Sequence, residues 1–284
     1  MQFHPLILFP LAAAVNLYVA GRQNITTLSF DPNTLELRVI ATHQGCAPAP
    51  SWLLLDPTNE DLYCIDDNTS TNGSVSVYTT SPEGILTQKQ RVSTPAGPVS
   101  ATFYADRGGA RGLVTANYHS RSISSYQVPA GKDNATLEQL EVITYPLPLN
   151  PTGNPRQAEP HPHQAILDTS GFYLLIPDLG ADLISVYTWN LGIGRLDLRR
   201  QLMMGTGCGP RHVAFWTRGE PADMWGLLVV CELSNELVNY EIVYVQGTER
   251  IEFLEIERMS SVVGTVRPGT QAAEVLVSVS SRSR

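Results

Sequence analysis

The chain has 284 residues, 43% of them hydrophobic and only 16% charged, with 22 Gly and 20 Pro. This composition excludes a coiled coil and a disordered chain, and it suits an all-β protein with many turns. A net charge of −8 and an isoelectric point of about 5.2 disfavour a nucleic-acid partner, and Lys89 and Lys132, the only lysines, make no polybasic patch for a membrane surface.

Taken in chain order, the first feature is the apolar run 6–15. It is shorter than the roughly 20 residues that a bilayer span needs, and no other run is long enough. It reads as the apolar core of a secretion signal over 1–14, ending at the small residues Ala12, Ala13 and Ala14. The alternative is a buried first strand. Sequons at Asn24, Asn68, Asn72 and Asn134 fit a secreted glycoprotein. So does an even set of four cysteines, Cys46, Cys64, Cys208 and Cys231, which read either as two disulfides or as buried thiols.

Next come short alternating segments at 17–20, 25–30 and 35–41, read as the second, third and fourth strands of a partial unit. Four full repeats follow. Each has a short strand, a turn, a more apolar strand ending in a polar residue, and a third alternating strand. The three strands fall at 51–55, 62–66 and 74–78 in the first repeat, and at 101–104, 113–117 and 122–126 in the second. In the third they fall at 164–167, 173–178 and 183–187, and in the fourth at 212–215, 227–232 and 237–240. Outer fourth strands fit 87–92, 137–143, 196–202 and 251–257, and a lone first strand fits 273–277. Starts near 51, 100, 163, 211 and 273 give spacings of 49, 63, 48 and 62 residues, near the length of a propeller blade with the excess held in loops. No segment sustains a 3.6-residue apolar period, so helices are expected to be scarce.

Two phrases carry a resemblance. One is His161-Pro162-His163 followed by Leu167-Asp168 and Leu174 to Asp178. The other is Gly209-Pro210-Arg211-His212 followed by Cys231-Glu232-Leu233-Ser234-Asn235. With the opening Leu17-Tyr18-Val19-Ala20-Gly21 and Ser29-Phe30-Asp31-Pro32, they resemble the lactonase family of seven-bladed β-propellers, over about residues 16–260. That family includes 6-phosphogluconolactonases and carboxy-cis,cis-muconate cyclases. The resemblance implies an all-β propeller of which this sequence holds about four full blades and partial ones at both ends. The expected units are a partial blade at 16–45, blades at 46–99, 100–160, 161–208 and 209–260, a stub at 269–278 and a tail at 279–284. Seven blades each turn by about 51° and five by about 72°, so the parts are expected to form an open arc at the seven-blade pitch, with exposed apolar blade faces that invite self-association.

The resemblance also implies a site. His163 and Arg211 open consecutive blades at the same position, and Glu232 ends the second strand of the blade that Arg211 opens, so the three are expected to converge. The family uses a His, an Arg and a Glu at matching positions. A further Arg, which the family supplies from a later blade, has no counterpart here. The chemistry suits a small carboxylated lactone or a muconate-like diacid as substrate: His163 as acid–base group, Arg211 as a two-donor grip on a carboxylate or oxyanion, Glu232 as its orienter or a proton relay. The alternative is a secreted propeller that binds without turnover.

No cofactor is expected. Gly192-Ile193-Gly194 reads as a turn, and no Gly-x-Ser-x-Gly elbow exists. His161 and His163 would share a strand face but lack a third metal ligand. His212 is expected to point away from Arg211, in a packing role. Antiparallel pairing favours the disulfides 46–64 and 208–231 among three connectivities, although the registers of the two pairs differ by one residue.

Overall fold

The structure, a computed structural model, describes residues 14–46, 48–69, 71–130, 136–147, 153–218, 224–245, 247–248 and 250–278. Apart from Ala14, the expected secretion signal lies outside the described residues, as do Asn134 and the tail at 279–284.

Five antiparallel meanders follow one another. The first has three strands: β1 (Val15–Ala20), β2 (Ile25–Asp31) and β3 (Glu36–His43). The other four have four strands each. They are β4 (Pro50–Asp56), β5 (Asp61–Asp66), β6 (Ser74–Thr80) and β7 (Leu86–Ser93); then β8 (Pro98–Ala105), β9 (Arg111–Asn117), β10 (Ser122–Val128) and β11 (Glu138–Thr144). The last two are β12 (Ile166–Leu167), β13 (Leu174–Asp178), β14 (Leu183–Asn190) and β15 (Arg195–Met203), and β16 (Pro210–Arg218), β17 (Met224–Cys231), β18 (Glu236–Val245) and β19 (Arg250–Ser260). The only helices among the described residues are two single 3₁₀ turns, at Pro155–Gln157 and Leu191–Ile193.

Bulges show which strands correspond. In each four-stranded sheet the third and fourth strands slip register at a buried tyrosine: Tyr78, Tyr126, Tyr187 or Tyr240. In the three-stranded sheet the same slip lies between β2 and β3, at Thr27 and Leu28, while β1 and β2 pair without one. Its strands therefore occupy the second, third and fourth places of a blade, as the sequence predicts.

The core lies between sheets. Four apolar clusters fill the four contacts between consecutive sheets. The second strand of a blade is buried on both faces, so its neighbouring residues serve different clusters. Leu113 packs toward the preceding sheet and Val114 toward the next; Leu174 and Leu175 divide in the same way. This explains why the second strands of the four-stranded blades are the more apolar ones in the sequence. Disulfides join Cys46 to Cys64 and Cys208 to Cys231, each tying the lead-in of a first strand to the second strand beside it.

One expected element is corrected. The stretch 273–277 is not a strand. A strand exists only as part of a ladder, and this stretch has no ladder partner among the described residues. Side chains hold it instead, through Arg211 to the Ala273 carbonyl and His212 to Glu274.

Candidate active site

In an antiparallel meander, the turns between second and third strands lie at the same end as the connections that lead into the next blade. This end gathers Asp67, Val99, Tyr118, His119, Arg156, His163, Arg211, Glu232 and the stretch 271–273 around one cavity of about 340 Å³. That volume falls within the range of small-molecule sites, about 300–1,000 Å³.

Two repeated local devices aim side chains into it. The first strands β4, β8 and β16 begin with proline and one extra residue, and in the remaining four-stranded blade Pro162 forms an isolated bridge ahead of β12. Pro50, Pro98, Pro162 and Pro210 pair with the last residue of the second strand: Asp66, Asn117, Asp178 and Cys231. The residue after each proline is Ser51, Val99, His163 or Arg211. Proline suits this place because it sits at the start of a strand, where its missing N–H breaks no ladder. The second device is the residue just past the second strand: Asp67, Tyr118, Leu179 or Glu232. His163, Arg211 and Glu232 thus come together from two positions of the blade.

Glu232 is the electrostatic centre. Its Oε2 accepts from Arg211 Nε at 2.9 Å, and its Oε1 accepts from Arg156 Nη1. Arg156 also donates to the Tyr118 hydroxyl at 3.4 Å. The Gln271 amide, oriented to satisfy both neighbours, donates to Glu232 Oε1 at 3.2 Å and accepts from Arg156 at 3.0 Å. The Glu232 side chain is only 7% exposed, so two guanidiniums share one desolvated carboxylate.

His163 is held as a neutral ring. Burial, then the charges of Arg211, His212 and Arg156, push its pKa down to about 2. Its backbone N–H donates to the Pro177 carbonyl at 2.9 Å, while its Nδ1 is buried with no hydrogen-bond partner among the described residues. The Tyr118 ring meets it edge-on at 5.4 Å. Across the lining, burial pushes the Asp67 carboxyl up to about 6, His119 opposing the shift and Asp66 adding to it.

The histidines flanking the site have other work. His161 does not join His163 in a chelate. It stacks on Tyr118 at 4.1 Å, and its Nδ1 lies 3.0 Å from the Tyr118 carbonyl. No group of three His, Cys, Asp or Glu fit to hold a metal ion occurs among the described residues. His212 does not line the cavity but is not remote from it, as strict alternation with Arg211 would require. The bulge breaks the alternation, so its ring packs 5.2 Å from His163 and 6.1 Å from Trp52, and its Nδ1 lies 2.7 Å from Glu274.

Sequence reasoning missed Asp67, Tyr118, Arg156 and Gln271. The repeat pattern held the signal for the first two, since both follow a second strand just as Glu232 does. Arg156 lies in the long connection of the 63-residue repeat, within a 3₁₀ turn capped by Asn154 Oδ1, where no repeat position marks it.

The comparisons agree with this architecture. An Arthroderma benhamiae protein named "Probable 6-phosphogluconolactonase" is 30% identical over 266 residues, covering 93% of this chain and 64% of the relative. The 6-phosphogluconolactonase of Bacillus subtilis (strain 168) is 26% identical over 238 residues, covering 82% and 62%. The chain thus spans just under two thirds of the length of these curated relatives. The Pseudomonas aeruginosa periplasmic gluconolactonase structure superposes with a TM-score of 0.68 at 22% identity, covering 91% of this chain and 69% of that one. Residues 13–283 match the family described as lactonase, 7-bladed beta-propeller, and the chain belongs to that family.

Proposed function

We propose that this cavity hydrolyses a small carboxylated lactone. The observation that carries the reading is the juxtaposition of a neutral, buried His163 with two guanidiniums that share Glu232. Water attack on a lactone carbonyl needs a base and a cation for the oxyanion. His163, kept unprotonated, can take the proton from water. Arg211 faces the cavity from the bulge and can receive the carbonyl oxygen as it gains charge. Glu232 holds Arg211 and Arg156 together through one oxygen each. The names of the curated relatives point to 6-phosphogluconolactone.

A second reading rests on Arg156. Two guanidiniums in one cavity also fit the two carboxylates of an open-chain diacid, the substrate of a muconate-type cyclisation. The two disulfides support the reading of a secreted protein, since such bonds persist in oxidising compartments. Of the sequon asparagines, Asn72 is exposed, whereas Asn24 and Asn68 are half-buried.

The test is a panel of 6-phosphogluconolactone, glucono-δ-lactone and carboxymuconate with the purified chain. Hydrolysis of a lactone above its spontaneous rate, lost about 100-fold or more in His163→Ala, is the expected result. Cyclisation of the diacid without lactone hydrolysis would select the second reading. Turnover unchanged in His163→Ala would overturn both.

A further inference from the structure

The cavity contains a second carboxylate whose position the blade repeat defines. Asp67 follows Asp66, the last residue of β5, as Glu232 follows Cys231, the last residue of β17. The two acids are therefore blade-equivalent, and both line the same cavity. Their partners differ completely. Glu232 is saturated by Arg156 and Arg211, whereas Asp67 Oδ1 is buried without a hydrogen-bond partner among the described residues. His163 Nδ1 is the other buried side-chain polar atom of this lining that has no hydrogen-bond partner among the described residues. We propose that Asp67 is the general acid of the site, delivering a proton to the ring oxygen that leaves when the lactone opens. This rests on the lactone-hydrolase reading.

The environments support that division of labour. The titratable and charged groups around Asp67 are Asp66 at the end of the preceding strand, His119 from the β9–β10 turn, and, in the same cavity lining, His163, Arg156, Arg211 and Glu232. Asp66 is itself tied to Arg91 at 2.9 Å, and Glu232 neutralises much of the two guanidiniums. Little compensates the burial of an Asp67 carboxylate, so its pKa rises to about 6 and the protonated form persists to higher pH than in an exposed aspartate. Burial and the two arginines act on His163 in the opposite sense. The usual order of the two residue types is inverted: the histidine is the weaker base, and the aspartic acid keeps its proton to higher pH. Such opposed environments support a division into base and acid, which rests on the two buried unpartnered atoms that line one cavity.

The step balances. His163 removes a proton from water as its oxygen bonds to the lactone carbonyl carbon. The carbonyl π pair moves onto oxygen, beside Arg211. As that pair returns, the bond between this carbon and the ring oxygen breaks, and the leaving oxygen takes the Asp67 proton. Imidazolium His163 and carboxylate Asp67 then exchange one proton through solvent. The net reaction is lactone plus water to hydroxy acid.

The experiment compares wild type, Asp67→Asn and Asp67→Glu on glucono-δ-lactone, and on dihydrocoumarin, whose phenolic leaving group needs no proton. Asp67→Asn should lower kcat about 100-fold on the sugar lactone with KM within about threefold, and less than about fivefold on the aryl lactone. Wild-type kcat should fall as pH rises through about 6, and this limb should vanish in Asp67→Asn. Asp67→Glu should recover at least tenfold. Equal losses on both substrates mark a structural role and overturn the proposal, as does an unchanged pH limb in Asp67→Asn. Sugar-lactone turnover that survives Arg211→Ala and His163→Ala would instead show that hydrolysis does not occur in this cavity, and wild-type turnover no faster than the spontaneous rate would refute the hydrolase reading.

Discussion

Arg156 and Glu232 lie 76 residues apart and form an ion pair between the lead-in to one blade and the turn that follows the second strand of the next. The pair fastens an irregular segment, 153–161, to the rigid part of the molecule. It also brings a second cation to the carboxylate that orients Arg211.

Removing the shared acid should therefore cost more than removing either base. In Glu232→Ala, two guanidiniums are left facing each other with no anion between them. Both arginine side chains keep some solvent, at 34% for Arg156 and 25% for Arg211, which moderates the loss. A stability loss of about 1–3 kcal/mol is expected in urea unfolding at pH 7. Arg156→Ala, which leaves the Arg211–Glu232 pair in place, should lose less than about 1 kcal/mol yet raise KM for an anionic lactone about tenfold. Equal stability losses in the two variants would show that Glu232 does not act as their common partner.

These contrasts explain which parts were legible in the sequence. A second strand buried on both faces is mostly apolar and ends in a polar residue, so 62–66, 113–117, 173–178 and 227–232 stand out, and spacing between them reveals the blade. His163, Arg211 and Glu232 sit at fixed offsets from those strands and were legible with them. Asp67 and Tyr118 sit at the same offset as Glu232, but the lone tyrosine and acid carry no chemical signature until a cavity joins them. Arg156 was out of reach, because its place depends on how an aperiodic connection folds back onto Glu232. The direction of His212 was misjudged for a related reason: strict alternation fails across a bulge, and the extra residue shows only in the pairing.

Acid should destabilise the protein through its buried histidines. His163 has an unfolded pKa of about 6.5 and a folded one of about 2, so between those values the unfolded chain binds a proton that the folded chain refuses. Stability contributed by the neutral ring is present above about pH 6.5 and falls as the pH drops toward 2. From pH 7 to 5 the loss is about 2 kcal/mol for a ring this buried. Burial lowers His161 and His212 in the same direction. Asp67 and Asp178, both raised to about 6, act oppositely: the fold takes up their protons first, so each gains stability as pH falls from about 6 toward 3.8. The difference between wild type and His163→Gln isolates the His163 share. Unfolding free energies at pH 5 and pH 7 should show a smaller acid loss in the variant, by about 2 kcal/mol. Parallel pH profiles would mean that His163 is not held neutral by the fold.

Gly180 sets how closely the 153–161 segment can approach the blade. It lies in the β13–β14 turn, where its N–H donates to Asp178 Oδ1 at 3.0 Å. A Cβ built on Gly180 would stand 1.8 Å from the Glu159 carbonyl oxygen and 3.0 Å from the His161 backbone nitrogen. Both obstacles are backbone, so no rotamer change relieves them, and the segment itself must move by more than an ångström. Arg156, His161 and His163 all belong to or adjoin that segment. Gly180→Ala should therefore lose about 1–3 kcal/mol of stability by overpacking and lower kcat/KM about 10- to 100-fold through misplacement of Arg156 and His163. Gly192→Ala is the control, because its nearest neighbour is the flexible Asn190 side chain at 3.3 Å, far from the cavity. Calorimetry and lactone kinetics on the two variants give the answer. A Gly180→Ala protein with wild-type melting and turnover would show that the segment has slack, and that its contact with the blade does not position the site.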